Sequence, residues 1–175
     1  MIKEFKMKKF VFFLFILVAF ATNVNAAERK ELGIFGDWTA YKMTENGSPV
    51  CYMVSMPTKS TGKYKRRGDI FLIVSHRPKN KSFNVVNMTA GYNYKKDSVA
   101  TIQIDKKAPV ELFTQEDSAW AKTSKEDNQL YKMMKAGKKA VIIGKSSLGN
   151  TTTDTFSLKG FTKAANAIDK ACGKK

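Results

Sequence analysis

Few residues of this 175-residue chain could carry chemistry. His76 is the only histidine. As a general base it would need a serine or threonine nucleophile and an orienting partner in exposed geometry. No GxSxG elbow or comparable signature accompanies any serine. His76 closes an apolar run and precedes Arg77 and Pro78, so it reads as a structural or surface histidine. Glu111, Glu116 and Asp117 could supply the carboxylate pair of a glycosidase, but acids in such a stretch read as solvated. Arg67, Gly68 and Asp69 spell an adhesion tripeptide, which works only on an exposed loop tip. Here it runs directly into IFLIVS, so Asp69 reads as the entry to a strand. A lone histidine, with no cysteine pair at ligand spacing, leaves no metal set. No catalytic residue and no cofactor is expected.

The other chemistry available is charge. Lys and Arg number 31 against 15 Asp and Glu, a net of +16. Such a balance favours anionic partners: lipid headgroups, lipopolysaccharide, acidic polysaccharide or nucleic acid. A host or envelope protein is a further candidate partner. The basic residues fall mostly at expected turns, and the candidate basic surface is Lys63, Lys65, Arg66, Arg67, Lys95, Lys96, Lys106 and Lys107. Tyr64, Tyr92 and Tyr94 sit near basic residues, but the set does not interleave with exposed aromatics as a single-strand platform requires, and no nucleic acid is expected. Cys51 and Cys172 are the only two cysteines. An even count in an exported protein reads as one disulfide, closing a loop of about 120 residues worth roughly 4–5 kcal/mol on loop-entropy grounds. Two free thiols or an intermolecular pair are the alternatives.

Export itself is read from residues 1–26. Lys3, Lys6, Lys8 and Lys9 precede an apolar run over residues 10–21, and Val24 and Ala26 occupy the small-residue positions before an expected cleavage. These are the three parts of a secretory signal peptide. The run is shorter than the roughly 20 residues of a spanning helix. Removing four lysines and one glutamate leaves 27 basic and 14 acidic residues, a net of +13. Residues 27–175 are the length of one domain, expected in the periplasm or secreted, with no transmembrane segment after cleavage.

The elements that must position these residues are mostly short strands. Strands are predicted over residues 35–43, 50–56, 70–75, 83–89, 99–104 and 110–114, spaced as in an antiparallel sandwich or barrel. The run at 70–75 is apolar throughout, which predicts a central strand buried on both faces. A helix follows, with Ser124 as N-cap, Asp127 three residues on, and Gly137 as its stop. Two further strands, 138–145 and 151–158, lead to an amphipathic C-terminal helix carrying Phe161, Ala164, Ala165, Ile168 and Cys172. The fold class is therefore mainly β, with one inserted helix and one C-terminal helix.

Several of these pieces resemble the invasion-associated locus B family of bacterial exported proteins. They are Gly36-Asp37-Trp38-Thr39, the Cys51-Tyr52-Met53-Val54 strand, the helix end Met134-Lys135-Ala136-Gly137-Lys138 with its following strand, and the SLKGFTKA run that starts at Ser157. The resemblance covers nearly all of the chain after the leader. It implies an immunoglobulin-like antiparallel β-sandwich, periplasmic or secreted, in a family named for members linked to host-cell invasion. Many members carry a second cysteine pair in the region of residues 113–122, where this sequence has FTQEDSAWAK and Trp120 is expected to fill the space. The resulting expectation is a non-enzymatic envelope protein that binds an anionic envelope or host component. A periplasmic enzyme acting on an envelope polymer and a periplasmic folding or stress factor are the alternatives.

Overall fold

The computed structural model describes residues 29–174, so the expected leader lies outside the described residues. Two glycine turns set the N-terminal register. Strand β1 (Lys30–Phe35) returns through Gly36 and Asp37 into β2 (Trp38–Glu45), and β2 returns through Asn46 and Gly47 into β3 (Ser48–Ser55). Asn46 and Gly47 have φ of 50° and 72°, the paired left-handed residues that fit a two-residue hairpin to the twist of its strands. The strand expected over 35–43 is thus the junction of two strands.

Strand β4 (Lys59–Gly62) and β5 (Phe71–Arg77) follow, then β6 (Ser82–Thr89), β7 (Val99–Ile104), β8 (Val110–Gln115) and β9 (Ser118–Trp120). After helix α1 (Ser124–Ala136) come β10 (Lys139–Lys145), β11 (Thr151–Ser157) and helix α2 (Phe161–Ala171). The described strands pair antiparallel in the order β1-β2-β3-β5-β6-β9-β8-β7-β10-β11-β4. The expected mainly-β, antiparallel architecture with an inserted and a C-terminal helix is the one observed. Strand β5 is central, between β3 and β6. Its Leu72, Val74 and His76 are buried, while Phe71 and Ile73 on the other face are only half-buried.

Helix α1 begins one residue earlier than predicted. Thr123 is its N-cap, with Oγ1 accepting from the Glu126 amide at 3.2 Å. The Glu126 carboxylate accepts from the Lys122 amide at 2.8 Å. This Thr/Glu pair, a capping-box variant in which Glu126 reaches the amide before the N-cap, replaces the expected pairing of Ser124 with Asp127. Asp127 instead faces inward and accepts the Val86 amide at 2.8 Å. That amide lies on β6 beyond the reach of the short β9, which pairs only with residues 87–89. The carboxylate therefore satisfies a strand edge that the sheet leaves open.

Helix α2 packs against β1, β2 and β3. Trp38, fully buried, meets Phe161 edge-on at 4.9 Å and donates from Nε1 to the Ser157 carbonyl at 3.0 Å. The Asp37 amide donates to the Lys159 carbonyl at 3.1 Å. Gly160 has φ of +91°, and a Cβ there would stand 1.7 Å from the Phe35 carbonyl oxygen. Only glycine fits both the conformation and the approach. The Gly36-Asp37-Trp38 piece and the SLKGFTKA piece are therefore two sides of one contact. At its other end α2 is joined to β3 by the Cys51–Cys172 disulfide, with Cα atoms 5.9 Å apart. In the region where relatives are expected to carry a second cysteine pair, Trp120 is half-buried and stacks on Phe113 at 5.5 Å.

Gly160→Ala is expected to cost at least about 2 kcal/mol of unfolding free energy in urea. Gly149→Ala, also at positive φ but with nothing within 4 Å, is expected to cost about 1 kcal/mol. Equal costs would contradict the close approach at Gly160.

Candidate functional site

Two polar clusters lie inside the fold, and both are built from residues that resembled chemistry in the sequence. Strand β11 points Thr152, Asp154 and Phe156 inward. The Asp154 side chain is 1% exposed, and Arg67 meets it with a side chain 4% exposed. Arg67 Nη1 and Nη2 donate to the two carboxylate oxygens at 2.8 and 2.6 Å, and Nε donates to the Ala90 carbonyl at 2.7 Å. Burial alone would lower the Arg67 pKa, but the Asp154 carboxylate more than offsets this and raises it. The guanidinium lies over the rings of Tyr92 (4.9 Å) and Tyr64 (5.4 Å), in cation–π contact. The Tyr92 hydroxyl pairs with Thr152 Oγ1 at 2.6 Å. Burial pushes the Tyr94 hydroxyl pKa up, and that hydroxyl has no hydrogen-bond partner.

Arg67 is thus withdrawn from the candidate basic surface, because its charge is spent inside the fold. It is also unavailable to an adhesion tripeptide. Its neighbours are not withdrawn. Lys63, Lys65 and Arg66 are exposed and line one wall of a groove of about 720 Å³. The opposite wall is the β10–β11 turn with Ser147 and Leu148, and Tyr64, Tyr92 and Thr152 also line it. The lining is mostly apolar and contains three cations and no acid. Lys95 and Lys96 flank this end: the Lys95 amide donates to the Lys145 carbonyl, and the Ser147 amide to the Asn93 carbonyl. Lys106 and Lys107 are elsewhere. They gather with Lys138 and Lys139 at the far end of β7 and β10, about 20 Å away along a seven-residue strand. The candidate basic residues therefore form two separate groups.

The second cluster centres on His76, which is fully buried. The Asn84 amide donates to Nδ1 at 3.0 Å, so the assigned tautomer carries its proton on Nε2, which donates to Asp169 Oδ1 at 2.8 Å. Asp169 also accepts from the Tyr131 hydroxyl at 2.9 Å and from Lys174 Nζ at 3.0 Å. Burial lowers the His76 pKa below its ordinary value despite the carboxylate beside it. Burial would raise Asp169, but the bonds from Lys174, His76 and Tyr131 outweigh it and hold the carboxyl low. With both ring nitrogens engaged, His76 offers no free lone pair to a substrate. The network ties β5 to α2 beside the disulfide, since Cys51 is the cross-strand partner of His76.

The carboxylates weighed for glycoside hydrolysis do not converge. Glu111 is exposed and paired with Lys122 at 2.7 Å, whereas Glu116 and Asp117 are the two residues of the β8–β9 turn. Among the described residues no group of three or more His, Cys, Asp or Glu could hold a metal. Leu148 was missed as a site residue in the sequence, where the available signal was an apolar side chain placed in a turn, and Tyr64 stood out only as an aromatic beside basic residues.

A protein-family model described as Invasion associated locus B (IalB) protein matches residues 38–169. The chain belongs to the IalB family. The match opens on Trp38 and ends on Asp169, the two residues through which β2 and β5 hold α2. A crystal structure of invasion associated protein b from Bartonella henselae is similar at 18% identity and a TM-score of 0.59, over 81% of this chain and 97% of that one. That likeness shows a shared fold. A search of curated proteins finds no match.

Two measurements follow from the clusters. Removing either partner of the buried ion pair strands a charge, so Arg67→Ala and Asp154→Ala are each expected to lose about 3–5 kcal/mol in urea unfolding. The double variant R67M/D154L is expected to lose less than either, and additive losses would contradict the pairing. His76 has a lowered folded pKa, so its contribution to stability is full above the unfolded value of about 6.5 and is lost as pH falls below it. Its ring resonances are expected not to titrate between pH 7.5 and about 6.5; a midpoint at or above about 6.5 would refute the buried neutral ring.

Proposed function

We propose that this IalB-family chain is an exported, non-catalytic protein of the bacterial envelope that holds an anionic envelope or host component against its basic surface. The observation that carries this reading is the groove beside β4 and β11, where Lys63, Lys65 and Arg66 project around Tyr64, Tyr92 and Leu148 with no acid in the lining. Three cations on one wall raise the local concentration of an anion, and an aromatic floor supplies contact area at low entropy cost. Export is supported by the leader-like residues 1–26 and by the single disulfide, a bond that persists in oxidising compartments. The non-catalytic reading is supported by His76, whose ring is enclosed and doubly hydrogen-bonded.

The test is retention of the leader-processed protein on an immobilised sulfated polysaccharide, a generic polyanion. Retention is expected at about 50 mM salt, with release as the screening length shortens at several hundred millimolar salt. The triple variant K63E/K65E/R66E is expected to weaken binding at least about tenfold, and K106E/K107E under about threefold. No retention of the parent protein at low salt, or a larger loss from K106E/K107E, would reject the groove as the anion site.

A further inference from the structure

We infer that the groove end of the molecule docks on an anionic lipid surface, with Leu148 and Tyr64 entering the headgroup–acyl boundary while Lys63, Lys65 and Arg66 meet the phosphates. This rests on the anion-binding reading above and narrows its ligand to a lipid.

Leu148 is 86% exposed, the most exposed large hydrophobic side chain among the described residues. It sits in the turn between β10 and β11, beside Ser147 and Gly149, where turn chemistry calls for small or polar residues. The turn is held in place. The Gly149 amide donates to the Ser146 carbonyl at 2.8 Å, the Asn150 amide to Ser146 Oγ at 3.2 Å, and the Ser147 amide to the Asn93 carbonyl at 2.8 Å. Leu148 is therefore presented outward by a fixed hairpin. Tyr64, 42% exposed, borders the same groove, with the buried Arg67 guanidinium against its ring. Two apolar prongs thus flank a concavity rimmed by three cations.

The alternatives use only part of this arrangement. A polysaccharide would pair with the cations and stack on tyrosine, but its hydroxyls gain nothing from Leu148. A nucleic acid likewise has no use for a projecting aliphatic side chain. The interface of an anionic bilayer uses all of it, because aliphatic and tyrosyl groups bury at the acyl boundary while cations meet the headgroups. Lys95, Lys96 and Lys145 extend the basic flank beside the turn. Asp69, Asp97, Glu116 and Asp117 also belong to loops near this end, but none lines the groove.

The test is cosedimentation of the processed protein with vesicles of phosphatidylcholine containing phosphatidylglycerol, run beside the polysaccharide column. Leu148→Ser is the diagnostic variant, since it removes the apolar side chain from an exposed turn without adding a charge to the groove. Binding to the mixed vesicles is expected at low salt, with about tenfold weakening by L148S and a comparable or larger loss in K63E/K65E/R66E. Retention of L148S on the polysaccharide is expected to match the parent. Column retention without vesicle binding, or vesicle binding that L148S leaves unchanged, would overturn the lipid inference and leave the anion site standing. Equal binding to pure phosphatidylcholine would overturn the requirement for an anionic lipid. Failure on both supports would overturn both readings.

Discussion

A carboxylate on the inner face of a sheet must find a cation or lose its charge, and Asp154 is such a carboxylate. Its alternation with Thr152 and Phe156 along β11 leaves it no route to water. Arg67 answers with two short bonds, and its third donor ties in the Ala90 carbonyl. Three stretches of chain are pinned by that one guanidinium: the loop after β4, the connection after β6, and β11. The loop cannot turn Arg67 inward without turning Lys63, Lys65 and Arg66 along the rim. One buried cation thus sets where the loop carrying the exposed ones runs.

The same economy governs the packing of α2. Trp38, Phe161 and Gly160 bring the helix start against the first hairpin, and the disulfide and the His76–Asp169 bond hold its end. His76, Asp127 and Asp154 are each engaged by backbone or side-chain partners in the interior. Polar groups that would be reactive on a surface are here consumed in satisfying the fold. What remains for recognition is the loop periphery, where side chains have no structural obligation.

Much of the architecture was readable because it rests on local rules. The alternation in β7 and the period of α2 follow directly from burial on one face. Residues 59–62 were not recognised as a strand, since Lys-Ser-Thr-Gly carries no apolar pattern, and in residues 30–35 Gly33 and the register shift beside it break the strand signal of Leu32, Ile34 and Phe35. The three residues of β9 were too short to show any. The Asn46-Gly47 pair carries a strong local hairpin signal that was not read as one. The cap of α1 was misplaced by one residue because Ser124 and Thr123 are both good caps, and only Glu126 decides between them. At the site, Lys63, Lys65 and Arg66 were identified, but sequence cannot show that Arg67, next in line, faces inward. That depends on Asp154, 87 residues away, a pairing with no local signature. Lys106 and Lys107 were grouped with the others by charge alone, and strand direction separates them.

Immersion depth tests the central claim most directly. Nitroxide labels would be placed singly at Ser147 and at Lys107, and their accessibility to a lipid-soluble and a water-soluble relaxant compared with and without anionic vesicles. The account predicts that the Ser147 label moves into the headgroup–acyl boundary while the Lys107 label stays in water. Immersion at Lys107 instead, or two labels that both remain in water while the protein cosediments with the vesicles, would contradict it.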